Sequence, residues 1–259
     1  MKRASACIGG KILRAVYTAA MCGRYVSPGQ AAIERAWHIG RHNQAPFERR
    51  FNVFPTATIP LLRLADEGDV LELVTGRWGL VPHWWKQAKL PALTHNARME
   101  AAAGKPMWRD AWRHARCLIP AEGWYEWQAV ERIDPVTGEV KPVKQPYYFH
   151  RADGRLLGFA GLMSRWTNPG TGAQLISCAV LSTAAQGELA KVHDRAPVAL
   201  PEAVHAAWLD RQLDDPARVQ AIADTHAGPE EFEFRKVGPL VNDTRRDGPE
   251  LIEPLESRA

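Results

Sequence analysis

The chain has 259 residues, of which 46% are hydrophobic and 24% are charged. This composition excludes a disordered chain and predicts a globular protein with a substantial hydrophobic core. The net charge of +4 and the isoelectric point of about 8.9 permit an anionic partner without requiring one.

From Phe51 onward the sequence predicts short strands, separated by proline and glycine, with a few helices. The region 129–144, with its turn formers, is predicted to be a solvated hairpin or loop. Because helices and strands do not alternate regularly, we expect an α+β fold, in which a curled, mostly antiparallel, barrel-like sheet carries a few peripheral helices. In chain order, the predicted elements are a helix over 30–39, a strand over 70–74, helices over 97–103 and 108–115, strands over 146–150, 156–162 and 175–181, helices over 184–192 and 201–210, and a strand over 232–237.

The four cysteines follow neither a metal-binding nor a disulfide pattern. Cys7, Cys22, Cys117 and Cys178 include no C-x-x-C pair and no cysteine and histidine spacing typical of a zinc site. We therefore expect reduced thiols in a cytoplasmic protein, with no metal and no cofactor. No stretch approaches the roughly 20 apolar residues of a membrane span, so no membrane partner is expected.

Residues 1–20 are interpreted as an upstream extension or a misassigned start that is absent from the active protein. Lys11 and Arg14 interrupt what would be the apolar core of a signal peptide. Met21 is bulky, although a small residue should precede the cleavage point of such a peptide. Residues 21–255 are expected to form a single domain.

Met21 and Cys22 form a pair with two interpretations. If Met21 is the initiator and is removed, Cys22 begins the chain and carries an α-amine and a thiol with pKa values near ~8 and ~8.5. The amine can condense with an aldehyde to an imine, and the thiol can then close onto the imine carbon to give a five-membered thiazolidine. Alternatively, Met21 is an ordinary internal methionine, Cys22 is a small buried hydrophobe, and residues 1–20 are a real part of the fold.

Trp78, Trp84 and Trp85 surround a glycine and a proline in the run 78–85. Trp84 and Trp85 are adjacent, so both cannot face one core on a regular element. One of them is expected to line a surface or cleft, where its indole can stack on a nucleobase. The alternative is a core anchor with an aromatic residue at the rim.

Asn96 and Arg98 follow shortly after this run. An amide can orient a sugar through hydrogen bonds, and a guanidinium can bind phosphate oxygens. The alternative is a turn asparagine with a surface arginine.

Glu126 lies in an aromatic run, in which Trp124 and Glu126 are predicted to share one face of a strand while Tyr125 and Trp127 share the other. A carboxyl group desolvated by aromatic neighbours has a raised pKa, which suits a general acid and base near neutral pH. The alternative is a glutamate at a solvent-exposed edge.

His193 is the candidate for proton transfer among nine histidines, because Asp194 and Arg195 are near enough to orient or tune its ring. The alternative is a structural histidine.

Eight short motifs occur in order along the chain. They are Met21-Cys22-Gly23-Arg24-Tyr25; Phe51-Asn52-Val53 with Pro55-Thr56; Trp78-Gly79-Leu80-Val81-Pro82; Asn96-Ala97-Arg98 with Glu100; Lys105-Pro106; Arg116-Cys117-Leu118-Ile119-Pro120; Gly123-Trp124-Tyr125-Glu126-Trp127; and His193-Asp194-Arg195 with Pro197. Together they resemble the SOS-response-associated peptidase family, whose proteins shield abasic sites in single-stranded DNA. The resemblance extends from Met21 to about Pro254.

The resemblance implies that the initiator methionine is lost and that Cys22 captures the ring-opened aldehyde of an abasic deoxyribose as a stable thiazolidine. Glu126 and His193 would then donate and accept protons during imine formation and ring closure, and Asn96 would orient the sugar. The peptidase name implies removal of the residues ahead of Cys22 by the chain itself, with Cys22, Glu126 and Asn96 involved. The residues implied to hold DNA around the lesion are Arg24, Asn52, Trp84, Trp85, Arg98 and Arg195.

The implied partner is single-stranded DNA with abasic sites, bound by a monomer that associates with the nucleoid during DNA damage. Phe54 and Ala101 depart from the family pattern, which more often has a small residue and a threonine at these positions. While residues 1–20 are attached, the Cys22 nitrogen is an amide and cannot form an imine. Processing, or translation from Met21, is therefore required.

Two other functions are compatible with the same residues. The chain could be a thiol hydrolase in which Cys22, His193 and Glu126 act on peptides or esters in trans. It could also be a non-catalytic reader of single-stranded or modified DNA that uses its arginines and tryptophans.

Overall fold

A computed structural model describes residues 23–40, 47–134 and 136–255, which together form thirteen β-strands, five α-helices and five 3₁₀ helices. The strands are β1 (Tyr25–Ser27), β2 (Arg50–Val53), β3 (Thr58–Leu64), β4 (Leu71–Trp78), β5 (Asn96–Arg98), β6 (Arg116–Ala121), β7 (Gly123–Ile133), β8 (Val140–Arg151), β9 (Leu157–Thr167), β10 (Gln174–Ala184), β11 (Arg195–Pro197), β12 (Ala199–Leu200) and β13 (Phe232–Lys236). The α-helices are α1 (Gln30–Ala36), α2 (Met99–Ala102), α3 (Arg109–His114), α4 (His205–Leu209) and α5 (Pro216–Ala223). The 3₁₀ helices span Gly187–Lys191, Glu202–Val204, Pro229–Glu231, Pro239–Asn242 and Pro249–Ile252.

Five strands close into a barrel. β3 pairs with β4 and β6, β6 pairs with β9, and β9 pairs with β10, all antiparallel. A parallel pairing of β10 with β4 completes the ring. Strands β5, β11 and β12 extend this sheet, and β5 is also parallel to β10. The predicted α+β fold, with a mostly antiparallel, barrel-like sheet and few helices, is confirmed.

A second sheet has the strand order β13-β8-β7-β1-β2 and is antiparallel throughout. Its longest pair is the ribbon of β7 and β8, whose register runs from Gly123 opposite His150 to Ile133 opposite Val140. The hairpin predicted over 129–144 is the outer half of this ribbon. The ribbon therefore projects from the sheet while its inner half remains in the core.

Apolar residues on successive positions of the barrel strands enter two different cores. On β3, Leu61 joins a core that includes Trp78 and Trp124, whereas Leu62 joins a core that includes Trp112. This alternation follows from the two-residue period of a strand. The second core packs under the helices, so barrel strands are buried on both faces.

The structure corrects several predicted helix boundaries. The helix predicted over 97–103 begins only at Met99, because Asn96–Arg98 forms a strand against β10. The helix predicted over 184–192 is a single 3₁₀ segment, Gly187–Lys191, since residues up to Ala184 continue β10. In both places backbone pairing across the fold overrides local helix propensity. Among the helices of the described ranges, none is long and apolar enough to cross a membrane.

Candidate functional site

A cavity of about 370 Å³ opens beside the end of β7 that pairs with the start of the described chain. It brings together Glu126 and His193, which are distant in sequence. The cavity is lined by Gly23, Arg24, Phe54, Pro55, His95, Glu126, Trp127, Lys144, His193 and Thr244.

Strand β7 places Glu126 at this cavity. The predicted alternation is confirmed, because Trp124 packs in the core of the barrel while Tyr125 packs in a separate core on the other face of the second sheet. Glu126 is only 2% exposed. β1 pairs with β7 so that Tyr25 lies opposite Trp124, and the same register continued by two residues brings Gly23 opposite Glu126.

His193 follows the 3₁₀ helix Gly187–Lys191 and reaches the same cavity with a side chain that is 8% exposed. Its Nδ1 lies 3.7 Å from Oε2 of Glu126. The same Nδ1 lies 3.1 Å from the Arg195 amide nitrogen, 3.2 Å from the Arg195 carbonyl oxygen and 3.3 Å from Asp194 Oδ1. Within the described ranges Nε2 is buried and has no hydrogen-bond partner. The ring is thus held by its own turn, with Nδ1 on the side of a buried carboxyl group.

Asn96 is buried in β5, opposite Val180 of β10. It does not itself line the cavity, but its neighbour His95 does. The His95 carbonyl accepts hydrogen bonds from Trp78 Nε1 at 2.8 Å and from the Val180 amide at 2.9 Å. These bonds hold the 95–96 backbone at the edge of the site.

Arg24 and Asn52 are joined to the segment 241–246. Arg24 lines the cavity, and its Nη1 donates to Asn52 Oδ1 at 2.8 Å and to the Val241 carbonyl at 2.7 Å. The buried Asn52 amide donates to the carbonyls of Val241, Asp243 and Arg246 at 3.3, 3.1 and 2.9 Å. Partial burial lowers the pKa of Arg24 from its usual value. Both residues hold a C-terminal segment against the site.

Arg195 and Arg98 have different surroundings. The Arg195 guanidinium forms a two-point ion pair with Glu100, at 2.6 and 3.0 Å, and also donates to Ser182. Hydrogen bonds from Arg195 lower the pKa of Glu100. Arg195 is 11% exposed on its side chain, whereas Arg98, at the end of β5, is exposed.

Trp84 and Trp85 lie outside the cavity. As predicted, they do not share one core: Trp84 is 42% exposed, while Trp85 is half-buried and donates from Nε1 to the Lys89 carbonyl at 3.0 Å. Trp84 borders a separate cavity of about 400 Å³, whose lining also includes Met107 and Arg165. The structure therefore does not bring the two tryptophans to Glu126 and His193.

Several residues that line the cavity were not predicted as site residues. His95 had a signal in the sequence, because it directly precedes Asn96. Lys144 lies in the hairpin region and Thr244 near the C-terminus, and neither has a local pattern that marks it. Met21 and Cys22 lie outside the described residues.

The cavity combines groups for proton transfer with positive charge. Glu126, His193 and His95 can exchange protons, and Arg24 and Lys144 can bind an anion. In the described part of the chain there is no group of three or more histidine, cysteine or acidic side chains that could hold a metal ion. The arrangement suits acid–base chemistry on an anionic substrate.

Residues 21–244 match the family described as SOS response associated peptidase (SRAP), and the chain belongs to this family. The family expected from the eight motifs is thereby confirmed. Among relatives, the Bacillus subtilis abasic site processing protein YoqW is 32% identical over 236 residues, covering 90% of this chain and 99% of YoqW. The Gallus gallus abasic site processing protein HMCES is 29% identical and covers 91% of this chain and 78% of its own length.

Solved structures support the same fold. A phage-related protein from Bordetella bronchiseptica superposes with a TM-score of 0.64 at 30% identity, covering 83% of this chain and 94% of that chain. A protein from Bacteroides thetaiotaomicron has a TM-score of 0.74 at 20% identity, with coverage of 91% and 100%, and shows the likeness of fold alone.

Proposed function

We propose that this chain processes abasic sites in DNA by capturing their ring-opened aldehyde with Cys22. The names of the curated relatives support abasic-site processing. The observation that carries the chemistry is the buried pair of Glu126 and His193 in a cavity that Gly23 also lines. Cys22 directly precedes Gly23 in the sequence, so we propose that its amine and thiol act next to Glu126 and His193.

The proposed reaction begins when the Cys22 α-amine attacks the aldehyde carbon and forms a carbinolamine. A proton from Glu126 or His193 lets the hydroxyl leave as water, which gives the imine. The Cys22 sulfur then bonds to the imine carbon, the thiol proton is transferred, and the nitrogen becomes the secondary amine of a thiazolidine. The net reaction joins one protein to one sugar and releases one water.

The remaining residues have positioning roles in this proposal. Asn96, which does not line the cavity, is proposed to help orient the reacting sugar through the 95–96 backbone at the cavity edge, and Arg24 contributes positive charge inside the cavity. Arg98 and Trp84 are exposed and are proposed to contact the strand outside the cavity.

Asn52 and Arg195 are proposed to act on DNA through the segments that they hold. Asn52 holds the segment 241–246, and Arg195 joins Glu100 to the turn of His193. Trp85, whose indole bonds to the Lys89 carbonyl, is proposed to support Trp84 against the strand. We further propose that the substrate strand is single, because stacking on an indole requires an exposed base face.

Because only a free α-amine can form the imine, we propose that residues 1–21 are absent from the active protein. Either the chain removes them with Cys22, Glu126 and Asn96, or translation begins at Met21, which is then removed. Residues 21–255 then act as a single domain, as a monomer in the cytoplasm that meets the nucleoid during DNA damage.

The test uses protein that begins at Cys22, mixed with an abasic single-stranded oligonucleotide and resolved on a denaturing gel. We expect a heat-stable shifted band from the wild type and none from Cys22→Ala, with reversible binding preserved in native gels. A band that persists in Cys22→Ala would refute this nucleophile. Cleavage of peptide probes without a shifted band would support a hydrolase acting in trans, and binding seen only in native gels would support a non-covalent reader.

A further inference from the structure

We propose that Lys144 and Thr244 form a phosphate subsite at the mouth of the cavity, which takes a phosphodiester next to the abasic sugar. This inference deepens the proposed function and rests on it. Both residues line the cavity of Glu126 and His193, and both are exposed.

The cations near the cavity differ in their partners. Arg24 is bonded to Asn52 and the Val241 carbonyl, and Arg195 is paired with Glu100. Lys144 differs, because in the described part of the chain its ammonium has no hydrogen-bond or ion-pair partner. A cation that lines a reaction cavity without an internal counter-charge is available for an anion of the ligand.

The pairing of β7 with β8 fixes the backbone position of Lys144. It lies on β8 opposite Ala129, two residues from Pro146, which pairs with Trp127 of β7. Because side chains alternate along a strand, Lys144 projects from the same face of the ribbon as Trp127. The ribbon continues into the buried Tyr148, so the position of Lys144 is fixed by paired strands even though its ammonium is solvated.

Thr244 lines the same cavity and is positioned by a different set of contacts. Asn52 binds the carbonyls of Asp243 and Arg246, which flank Thr244 in sequence. Trp127 Nε1 donates to Asn242 Oδ1 at 2.8 Å, which ties the ribbon to this segment. Lys144 and Thr244 therefore belong to one connected wall of the cavity.

The chemistry of this wall fits a phosphodiester. An ammonium offers three donors and a point charge, and a threonine hydroxyl is a neutral donor that phosphate oxygens accept. Glu126 and His193 are buried whereas Lys144 and Thr244 are exposed, so the phosphate is expected at the mouth while the sugar faces Glu126 and His193.

The test measures reversible binding of a single-stranded oligonucleotide that carries a tetrahydrofuran analogue of the abasic site. This analogue has no aldehyde, so binding is read independently of any covalent step. We expect Lys144→Gln to weaken binding several-fold and to reduce the slope of log affinity against log salt by about 0.7, the value for one phosphate contact on a single strand. Lys144→Arg should restore most of the affinity, and Thr244→Val should weaken binding with little change in the salt slope.

Lys141→Gln is the matched control, because Lys141 lies on the same strand but is already paired with Asp134 at 3.3 Å and Glu139 at 3.2 Å. Its affinity and salt slope should match those of the wild type. Equal effects of Lys144→Gln and Lys141→Gln would overturn the subsite, as would a wild-type protein that does not bind the analogue. If Lys144→Gln weakens binding of the analogue as expected but the wild type forms no covalent band with a true abasic site, the proposed function is refuted. The phosphate contact of Lys144 is then still supported.

Discussion

Two buried residues of charged type, Glu126 and Arg116, have different surroundings: one faces a cavity and the other is enclosed by backbone carbonyls. Arg116 lies near Trp208 at the barrel face that the helices cover, with its guanidinium 5.7 Å from the indole ring. Its nitrogens donate to five carbonyl oxygens, those of Trp112, Arg113, Trp208, Asp210 and Leu213. Glu126 instead faces a cavity and lies 3.7 Å from a histidine.

This difference shows that burial of a charge does not by itself indicate a functional site. The carbonyls that surround Arg116 come from the end of α3 and from the chain around the end of α4, so one side chain caps two helices. Burial lowers the pKa of Arg116 to about 10, which still leaves it protonated at neutral pH. Arg116 has its donors satisfied inside the protein, whereas Glu126 is presented to a space that a ligand can enter.

The largest expected effect is a loss of reaction rate when Glu126 is replaced. Glu126→Gln keeps the shape of the side chain but cannot transfer a proton, so the rate of adduct formation should fall by roughly 10²–10⁴. The free energy of unfolding should change little, because glutamine has nearly the same volume as glutamate and leaves no cavity. Single-turnover rates from denaturing gels and denaturant titrations measure the two quantities.

Glu122→Gln is the matched control for this variant. Glu122 directly precedes β7 and pairs with Arg49 at the surface. If Glu122→Gln slowed adduct formation as much as Glu126→Gln does, Glu126 would have no specific role in proton transfer.

The opposite result is expected for Arg116. Arg116→Met leaves buried carbonyls without donors and should lower the free energy of unfolding by about 3 kcal/mol. The rate of adduct formation should stay unchanged at temperatures where the variant is folded. Arg109→Met, at an exposed position on α3, should change stability by less than about 0.5 kcal/mol. If Arg116→Met is as stable as the wild type but forms the adduct more slowly, Arg116 acts in the reaction and not in the fold. That result would contradict the comparison with Glu126.

The smallest effect is a pH dependence of stability that arises away from the cavity. His205 Nδ1 accepts from Trp37 Nε1 at 3.2 Å, and its Nε2 lies 3.1 Å from the Leu200 carbonyl, which suits a neutral ring. Burial lowers the pKa of His205. The folded state therefore binds fewer protons than the unfolded state near pH 6.5. The stabilisation is complete above that pH and is lost as the pH falls through the folded-state pKa, with a slope of at most about 1.4 kcal/mol per pH unit.

His205→Phe cannot titrate and keeps an aromatic ring against Trp37. Melting temperatures measured from about pH 7.5 to 5.5 should fall less for this variant than for the wild type. The pH profile of adduct formation should be the same in both proteins. A shift of that profile would mean that the two regions are coupled.

Local patterns predicted the parts of the molecule that depend on short stretches of sequence. The alternation around Glu126 is visible because each aromatic neighbour lies one or two residues away, and the ribbon of β7 and β8 is marked by its turn formers. The motif order predicted the family.

Other features depend on contacts between distant segments. Asn52 is fixed by carbonyls of Val241, Asp243 and Arg246, which no local pattern connects to it. Similarly, Asn96 lies in a strand only because β10 is there to pair with it. Lys144 becomes a candidate only when its lack of a partner among the described residues is compared with the contacts of Arg24 and Arg195.

The most direct test of the account is the intact mass of the cross-linked species formed from full-length protein expressed without an N-terminal tag. We predict a mass equal to the chain beginning at Cys22 plus the abasic oligonucleotide minus one water. An adduct that still contains residues 1–21 would contradict the account, because its Cys22 nitrogen would be an amide.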